Sequence, residues 1–247
     1  MEKKDSRGYI PVALIAAAII ISVLVLSNAF LNRNRNDDII YTTGLGSMNF
    51  ESDLIVWSAS FTRVNADLQS AYADLHNDQK VIDEYLRENG VEAADFVFSS
   101  IDIFKEYDMV EDRDGNRRQV FNGYSLRQSV TVESGDVGKV EDISRGITGL
   151  INRGLELYSQ PPQYYYTKLS ELKMELIERA TEDAKERAQI IASRSGAKLG
   201  KLKNASMGVF QIIAQNSNED YSWDGAFNTS SKQKTATITM RLQFGIR

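Results

Sequence analysis

Hydrophobic and polar positions along this chain follow several different periods in turn. Residues 10–26 read IPVALIAAAIIISVLVL, an apolar run interrupted only by a small hydroxyl group, and residues 27–31 extend it. Every face of such a helix is apolar. A run of ~20 residues at 1.5 Å rise spans a ~30 Å hydrocarbon core, so a membrane helix is predicted over 10–31. Pro11 falls near the helix start, where a missing N–H costs nothing. Residues 32–38 (NRNRNDD) then form a polar linker that cannot pack.

Past the linker, strand and helix periods alternate. Residues 54–64 are rich in β-branched and aromatic side chains, with Ile55, Trp57, Ala59 and Phe61 on one face of a strand. Asn65 suits a helix N-cap. Leu68, Ala71, Tyr72, Leu75, Ile82, Tyr85 and Leu86 follow at helical spacing, and Asn89-Gly90 closes the helix. Strands at 96–104 and 120–132 flank Asp112-Arg113-Asp114-Gly115-Asn116, a turn by its chemistry, and predict a hairpin. Asp136 caps a second helix carrying Val137, Val140, Ile143, Ile147, Leu150 and Ile151 on one side. Gly154 ends it before a short strand at 155–158.

This order is β-α-β-β-α-β, the ferredoxin-like split βαβ arrangement. Pro161-Pro162 breaks the chain before the longest helix, 168–195, about 42 Å at 1.5 Å per residue. Leu169, Leu172, Leu176, Ile177, Ala180, Ala184, Ala188, Ile191 and Ala192 share one face of that helix, and Gly196 follows it. The second half of the face is an alanine stripe that admits a close neighbour. A strand near 209–214, a polar loop over 215–234 and a final strand over 235–244 complete the chain. Ile238, Met240, Leu242 and Phe244 alternate there with polar residues. The expected fold class is α+β: a ferredoxin-like core extended by a long helix and a C-terminal β-hairpin, preceded by one transmembrane helix.

Composition narrows the function classes. At 247 residues, with 42% hydrophobic and 26% charged residues, the soluble part buries a real core without staples. The absence of cysteine removes disulfides, thiol nucleophiles, thiolate metal sites and cysteine-linked lipids together. A net charge of −5 without a Lys/Arg cluster argues against a nucleic-acid partner. Lys3, Lys4 and Arg7 precede the apolar run, whereas Arg33 and Arg35 beyond it are offset by Asp37 and Asp38. The bias places the N-terminus in the cytoplasm. The expected organisation is a short cytoplasmic tail (1–9), a transmembrane signal anchor (10–31), a polar linker (32–40) and a domain (41–247) on the periplasmic or extracellular side. Ser27-Asn28-Ala29 also offers small residues suited to signal-peptidase cleavage after Ala29.

The residues over 41–244 resemble the SIMPL family of bacterial envelope proteins. Ala180-x3-Ala184-x3-Ala188, running into Gly196-Ala197-Lys198-Leu199-Gly200, is similar to the family's alanine-spaced helix and G-x-x-L-G turn. Gly44-Leu45-Gly46, Asn89-Gly90-Val91, Gly123-Tyr124 and Val137-Gly138-Lys139-Val140 support the resemblance, with Ser52-Asp53 where the family often has Pro-Asp. The resemblance implies an envelope-associated α+β domain. Some members of the family assemble into ring-like oligomers and are linked to stress resistance, and no catalytic residues carry over.

Candidate chemistry is sparse. His76, the single histidine, lies on the first soluble helix, where an exposed or boundary position explains it without a catalytic dyad. Glu111, Asp112 and Asp114 crowd a hairpin tip without the ligand spacing of an EF-hand. Gly44-x-Gly46 precedes a strand, not a helix, so it is no phosphate loop. No catalytic, cofactor-binding or metal-binding residue is therefore assigned, and no cofactor is expected. Two aromatic groups stand out as interface candidates: Tyr164, Tyr165 and Tyr166 after the proline pair, and Tyr221 and Trp223 in the polar loop. For the tyrosines, one ring in the core with two partly exposed is the competing expectation. The leading function is a membrane-anchored, non-enzymatic homo-oligomeric assembly or interaction module. The alternatives are a small-ligand-binding protein and a carboxylate-dependent hydrolase.

Overall fold

The computed structural model describes residues 9–33, 38–111, 117–217 and 225–247. The apolar run forms helix α1 (Tyr9–Arg33), whose described side chains run over 14–30 and are all exposed. Among the described residues, no helix is long and apolar enough to cross a membrane.

The chain divides into two compact units. The first comprises Met1–Gly46, Ile177–Gly208 and Ile238–Arg247, the second Ser47–Leu176 and Val209–Thr237. Strands β1 (Ile39–Glu51) and β10 (Gln233–Ile246) and helix α4 (Leu169–Arg194) each run from one unit into the other.

In the second unit, β2 (Leu54–Asn65) leads into α2 (Leu68–Glu88), then β3 (Phe96–Phe98), β4 (Asp102–Glu111) and β5 (Arg117–Ser134). Helix α3 (Val137–Gly146) continues as a 3-10 turn to Arg153, followed by β6 (Leu157–Ser159) and β7 (Gln163–Tyr165). The sheet runs β3-β5-β2-β6, with β4 also on β5 and β7 also on β2, and all of these pairs are antiparallel. The observed order here is β2-α2-β3-β4-β5-α3-β6-β7, against the expected β-α-β-β-α-β. The expected second strand is two, because the chain leaves the sheet at 99–101 and returns as β4. The predicted turn at 112–116 lies outside the described residues, but the Glu111↔Arg117 register makes β4 and β5 a hairpin.

One sheet face is closed by helices. Ile55, Trp57, Ala59 and Phe61 of β2 and Leu126, Val130 and Val132 of β5 meet Ala71, Leu75, Ile82 and Leu86 of α2 and Val140 and Ile143 of α3. Each large side chain buried there contributes about 1.5–3 kcal/mol. Trp57 keeps its indole N–H satisfied by donating to Ser159 Oγ at 3.0 Å. The cap of α2 is Asp67 rather than Asn65: its carboxylate accepts from the Ser70 N–H at 2.8 Å. Asp136 caps α3 as expected, accepting from the Lys139 N–H at 3.1 Å.

In the first unit, β10 lies between β1 and β8 (Leu199–Met207), two strands that the periodicity did not reveal. Inward residues Ile238, Met240, Leu242 and Phe244 are buried, as the alternation predicts. Ala180, Ala184, Ala188 and Ala192 of α4 are buried too. Gly44 of β1 explains why they are alanines: a Cβ there would collide with the Ala180 carbonyl and the Ala184 backbone and stand 2.8 Å from Ala184 Cβ. The contact is locked by the Leu45 N–H, which donates to Asp183 Oδ2 at 2.8 Å.

Candidate functional site

The three tyrosines after the proline pair part company. β7 pairs with the start of β2, Ile55 opposite Tyr164. The alternation turns Tyr164 into the core, where it is buried, and leaves Tyr165 and Tyr166 half-buried. Tyr164 donates its hydroxyl to Glu141 Oε1 at 2.7 Å. Burial, then that carboxylate, push the phenol up to about 12. Tyr165 donates to Gln163 Oε1 at 2.6 Å, and the Tyr166 ring lies 4.7 Å from that of Phe50. Tyr221 and Trp223 lie outside the described residues.

A polar network surrounds Tyr164. Lys234, 1% exposed, donates Nζ to the Tyr164 carbonyl, and burial alone brings its ammonium down to about 8. Lys232 sits 2.9 Å from Glu51 Oε1 and 3.7 Å from Glu141 Oε2. The Lys232 hydrogen bond holds the Glu51 carboxyl below its ordinary range. Two carboxylates therefore converge, but on a cation placed between them. Lys234 falls at the end of the predicted polar loop over 215–234, where no pattern marks it as buried.

His76 is exposed on α2, 3.3 Å from Gln79 Oε1 and stacked on Tyr72. The core instead buries an ion pair that the pattern concealed: Arg63 grips Asp78 through Nε and a terminal nitrogen at 2.5 and 2.7 Å. Asp78 is 4% exposed, at a helix position whose neighbours are apolar. Among the described residues, no group of three or more His, Cys, Asp or Glu is placed to hold a metal.

The β4–β5 arm is an exposed surface. Every residue of β4 is exposed, as are residues 117–122 of β5. Pairing puts Tyr107 opposite Phe121 and Lys105 opposite Tyr124, with a register shift after Glu106. Phe121 thus packs edge-on to Tyr107 and Tyr124, at 5.9 and 5.1 Å. Gly123 allows that bend: its φ is +148°, and a Cβ would stand 2.7 Å from the Asn65 carbonyl. Ile103, Tyr107, Met109 and Phe121 make one apolar face, and Phe104, Val110 and Val120 lie on the other. The charges lean opposite ways on the two strands: Asp102, Glu106, Asp108 and Glu111 with one Lys105 on β4, and Arg117, Arg118 and Arg127 with one Glu133 on β5. Within the hairpin, Arg117 already pairs with Glu111 at 3.5 Å.

The described residues form a mixed α+β structure with two antiparallel sheets. Residues 40–244 match the family model of SIMPL, described as proteins of unknown function, and the chain belongs to that family. The chain is also similar to a 26 kDa periplasmic immunogenic protein of Brucella abortus (strain S19), 27% identical over 172 residues. That match covers 68% of this chain and 65% of the relative, just under two thirds of its length.

Proposed function

We propose that this chain is an envelope interaction module. Residues 10–31 hold it to the cytoplasmic membrane, residues 32–40 act as a spacer, and residues 41–247 form a domain on the outer side that associates with copies of itself. The observation that carries this reading is the β4–β5 arm, where large apolar side chains stand exposed on both faces of a two-stranded ribbon. An isolated ribbon of this kind is marginal in water, and pairing along a free edge supplies its missing strand. The acidic edge of β4 complements the basic β5, which favours head-to-tail association, and such contacts close into rings where the rotation allows. Anchoring in a plane raises the local concentration of like domains. Tyr165, Tyr166, Tyr221 and Trp223 remain secondary contact candidates. Lys3, Lys4 and Arg7 before the apolar run, and the periplasmic designation of the Brucella relative, support the orientation.

Native mass spectrometry of the detergent-extracted full chain tests association. The expected result is an oligomer that Asp108→Arg and Arg118→Asp each weaken and that a mixture of the two variants restores. A monomer at every concentration sinks the proposal. Orientation is tested separately. The chain has no cysteine, so Ser230→Cys, at an exposed position, should react with a membrane-impermeant maleimide on intact spheroplasts.

A further inference from the structure

The first unit presents a second, unrelated surface. On the side of its sheet away from the alanine face of α4, β1 turns out Tyr41 and Thr43, and β10 turns out Arg241 and Gln243. The register sets Ser206 of β8 opposite Arg241 and Asn204 opposite Gln243. These six side chains line one groove of about 300 Å³, at the small end of ligand sites, which run ~300–1,000 Å³. Lys203 joins the same face, because a Cβ on Gly245 would meet its Cε at 3.0 Å. Strand residues 39–46, 199–208 and 238–246 contribute Lys201, Lys203 and Arg241 and not one Asp or Glu, in a chain of net charge −5. The patch is therefore cationic against an acidic background, which selects an anionic partner.

The remaining groups narrow the chemistry. Thr43, Ser206, Asn204 and Gln243 are hydroxyls and amides, able to donate and accept at once, as sugar hydroxyls require. Tyr41 is 68% exposed and offers a flat ring with a polar tip. Arg241 supplies a planar fork matched to a carboxylate. No deep apolar pocket for a peptide side chain is present in this groove, and one guanidinium in the groove with two lysines outside its lining makes no continuous track for a nucleic-acid backbone. We propose that this groove binds an acidic oligosaccharide, with Arg241 on a sugar carboxylate, Tyr41 beneath a ring, and the amides and hydroxyls on flanking hydroxyl groups. The site is independent of the association proposed for the β4–β5 arm.

Calorimetric titration of the detergent-extracted full chain tests it, with a galacturonic acid hexamer as probe and maltohexaose and a single-stranded oligonucleotide as comparators. The hexamer should bind saturably and more tightly than either comparator. Arg241→Gln should weaken it at least tenfold and Tyr41→Ala at least fivefold, with unchanged circular dichroism and unchanged oligomer mass. No saturable binding of the hexamer, equal binding of maltohexaose, tighter binding of the oligonucleotide, or affinity untouched by both substitutions would each overturn the assignment.

Discussion

Along α4, Ala180, Ala184, Ala188 and Ala192 are small and buried, whereas along the β4–β5 arm Ile103, Phe104, Tyr107, Met109 and Phe121 are large and exposed. Burial in this molecule does not track side-chain hydrophobicity. It tracks whether another backbone comes close enough to close the surface. Gly44 brings β1 against the alanines until no Cβ fits between. On the arm, the face continuous with the core runs past the helices, and nothing among the described residues of its unit covers it. A closed surface stabilises the fold, and an open one is available to a partner. The two regions should therefore answer mutation in opposite ways.

The largest effect is expected where the closed face ends. Arg63 lies opposite Leu126 in register, next to the base of the arm, and neutralises the buried Asp78. Arg63→Ala leaves that carboxylate desolvated and unpaired, at a cost of about 3 kcal/mol, and denaturant titration should show it directly. A loss under 1 kcal/mol would mean that water reaches Asp78 and that the closed face ends earlier than the geometry implies.

The alanine stripe comes next. Ala184→Leu inserts volume where even a single Cβ on Gly44 would come within 2.8 Å of the Ala184 Cβ, and overpacking of this kind costs ~1–3 kcal/mol. Gly44→Ala should cost a similar amount, and the double variant more than either. An unchanged melting temperature for Ala184→Leu would show that β1 does not press on α4.

How much of this was visible beforehand differs between the regions for a physical reason. The i, i+4 alanines announced a close approach, because only small side chains repeat that way on a buried face. Gly44 was visible as a motif glycine, but its partner was not. β1 and β8 escaped because β1 turns Thr42, Gly44 and Gly46 inward in place of large apolar residues, and β8 is exposed along almost its whole length. Neither strand shows alternation. The arm was legible as a hairpin, yet nothing in its pattern shows that its apolar face goes uncovered, since coverage is a property of other segments. Asp78 and Lys234 were hidden for the same reason. A charged residue at an inward position reads as a break in the pattern until its partner is in view. Of the tyrosines, sequence placed the cluster correctly at a junction, and only the β2 register shows which ring turns inward.

Lys234 offers a smaller, pH-dependent test inside the closed region. Its folded pKa, about 8, lies below the ordinary 10.5, so the unfolded chain binds more protons between those values. Stability from this group is therefore lowest below pH 8 and rises as pH climbs from 8 to 10.5. Tyr164 acts in the opposite sense above that window: its phenol, raised from 10.0 to about 12, favours the folded state until pH rises through 10 to 12. Lys234→Met should stabilise the protein by about 1 kcal/mol at pH 7, the gain from an apolar replacement being partly offset by the lost bond to the Tyr164 carbonyl. That advantage should vanish by pH 10.5. A constant advantage across pH 7–10.5 would show that burial does not shift the Lys234 ammonium, which would then stay charged in the folded protein over that range.

The smallest stability effect, and the sharpest contrast, belongs to the arm. Tyr107→Ser with Phe121→Ser removes an exposed edge-on aromatic pair that no helix covers. Cross-strand pairs of this kind contribute about 0.2–1 kcal/mol locally, and Phe121 meets the edge of the core at Tyr124, 5.1 Å away. Thermal unfolding of the full chain should shift by no more than the equivalent of ~0.5 kcal/mol, the usual range for surface positions. Association should respond far more, because aromatic anchors dominate interface energies and losing two of them commonly costs more than 2 kcal/mol, or over thirtyfold in affinity. The informative quantity is the ratio of the two effects, measured on one preparation by calorimetry and sedimentation. A variant that unfolds early but assembles normally would make the arm part of the closed region, and the open surface would then have to be sought at Tyr165, Tyr166 or the segment around Trp223.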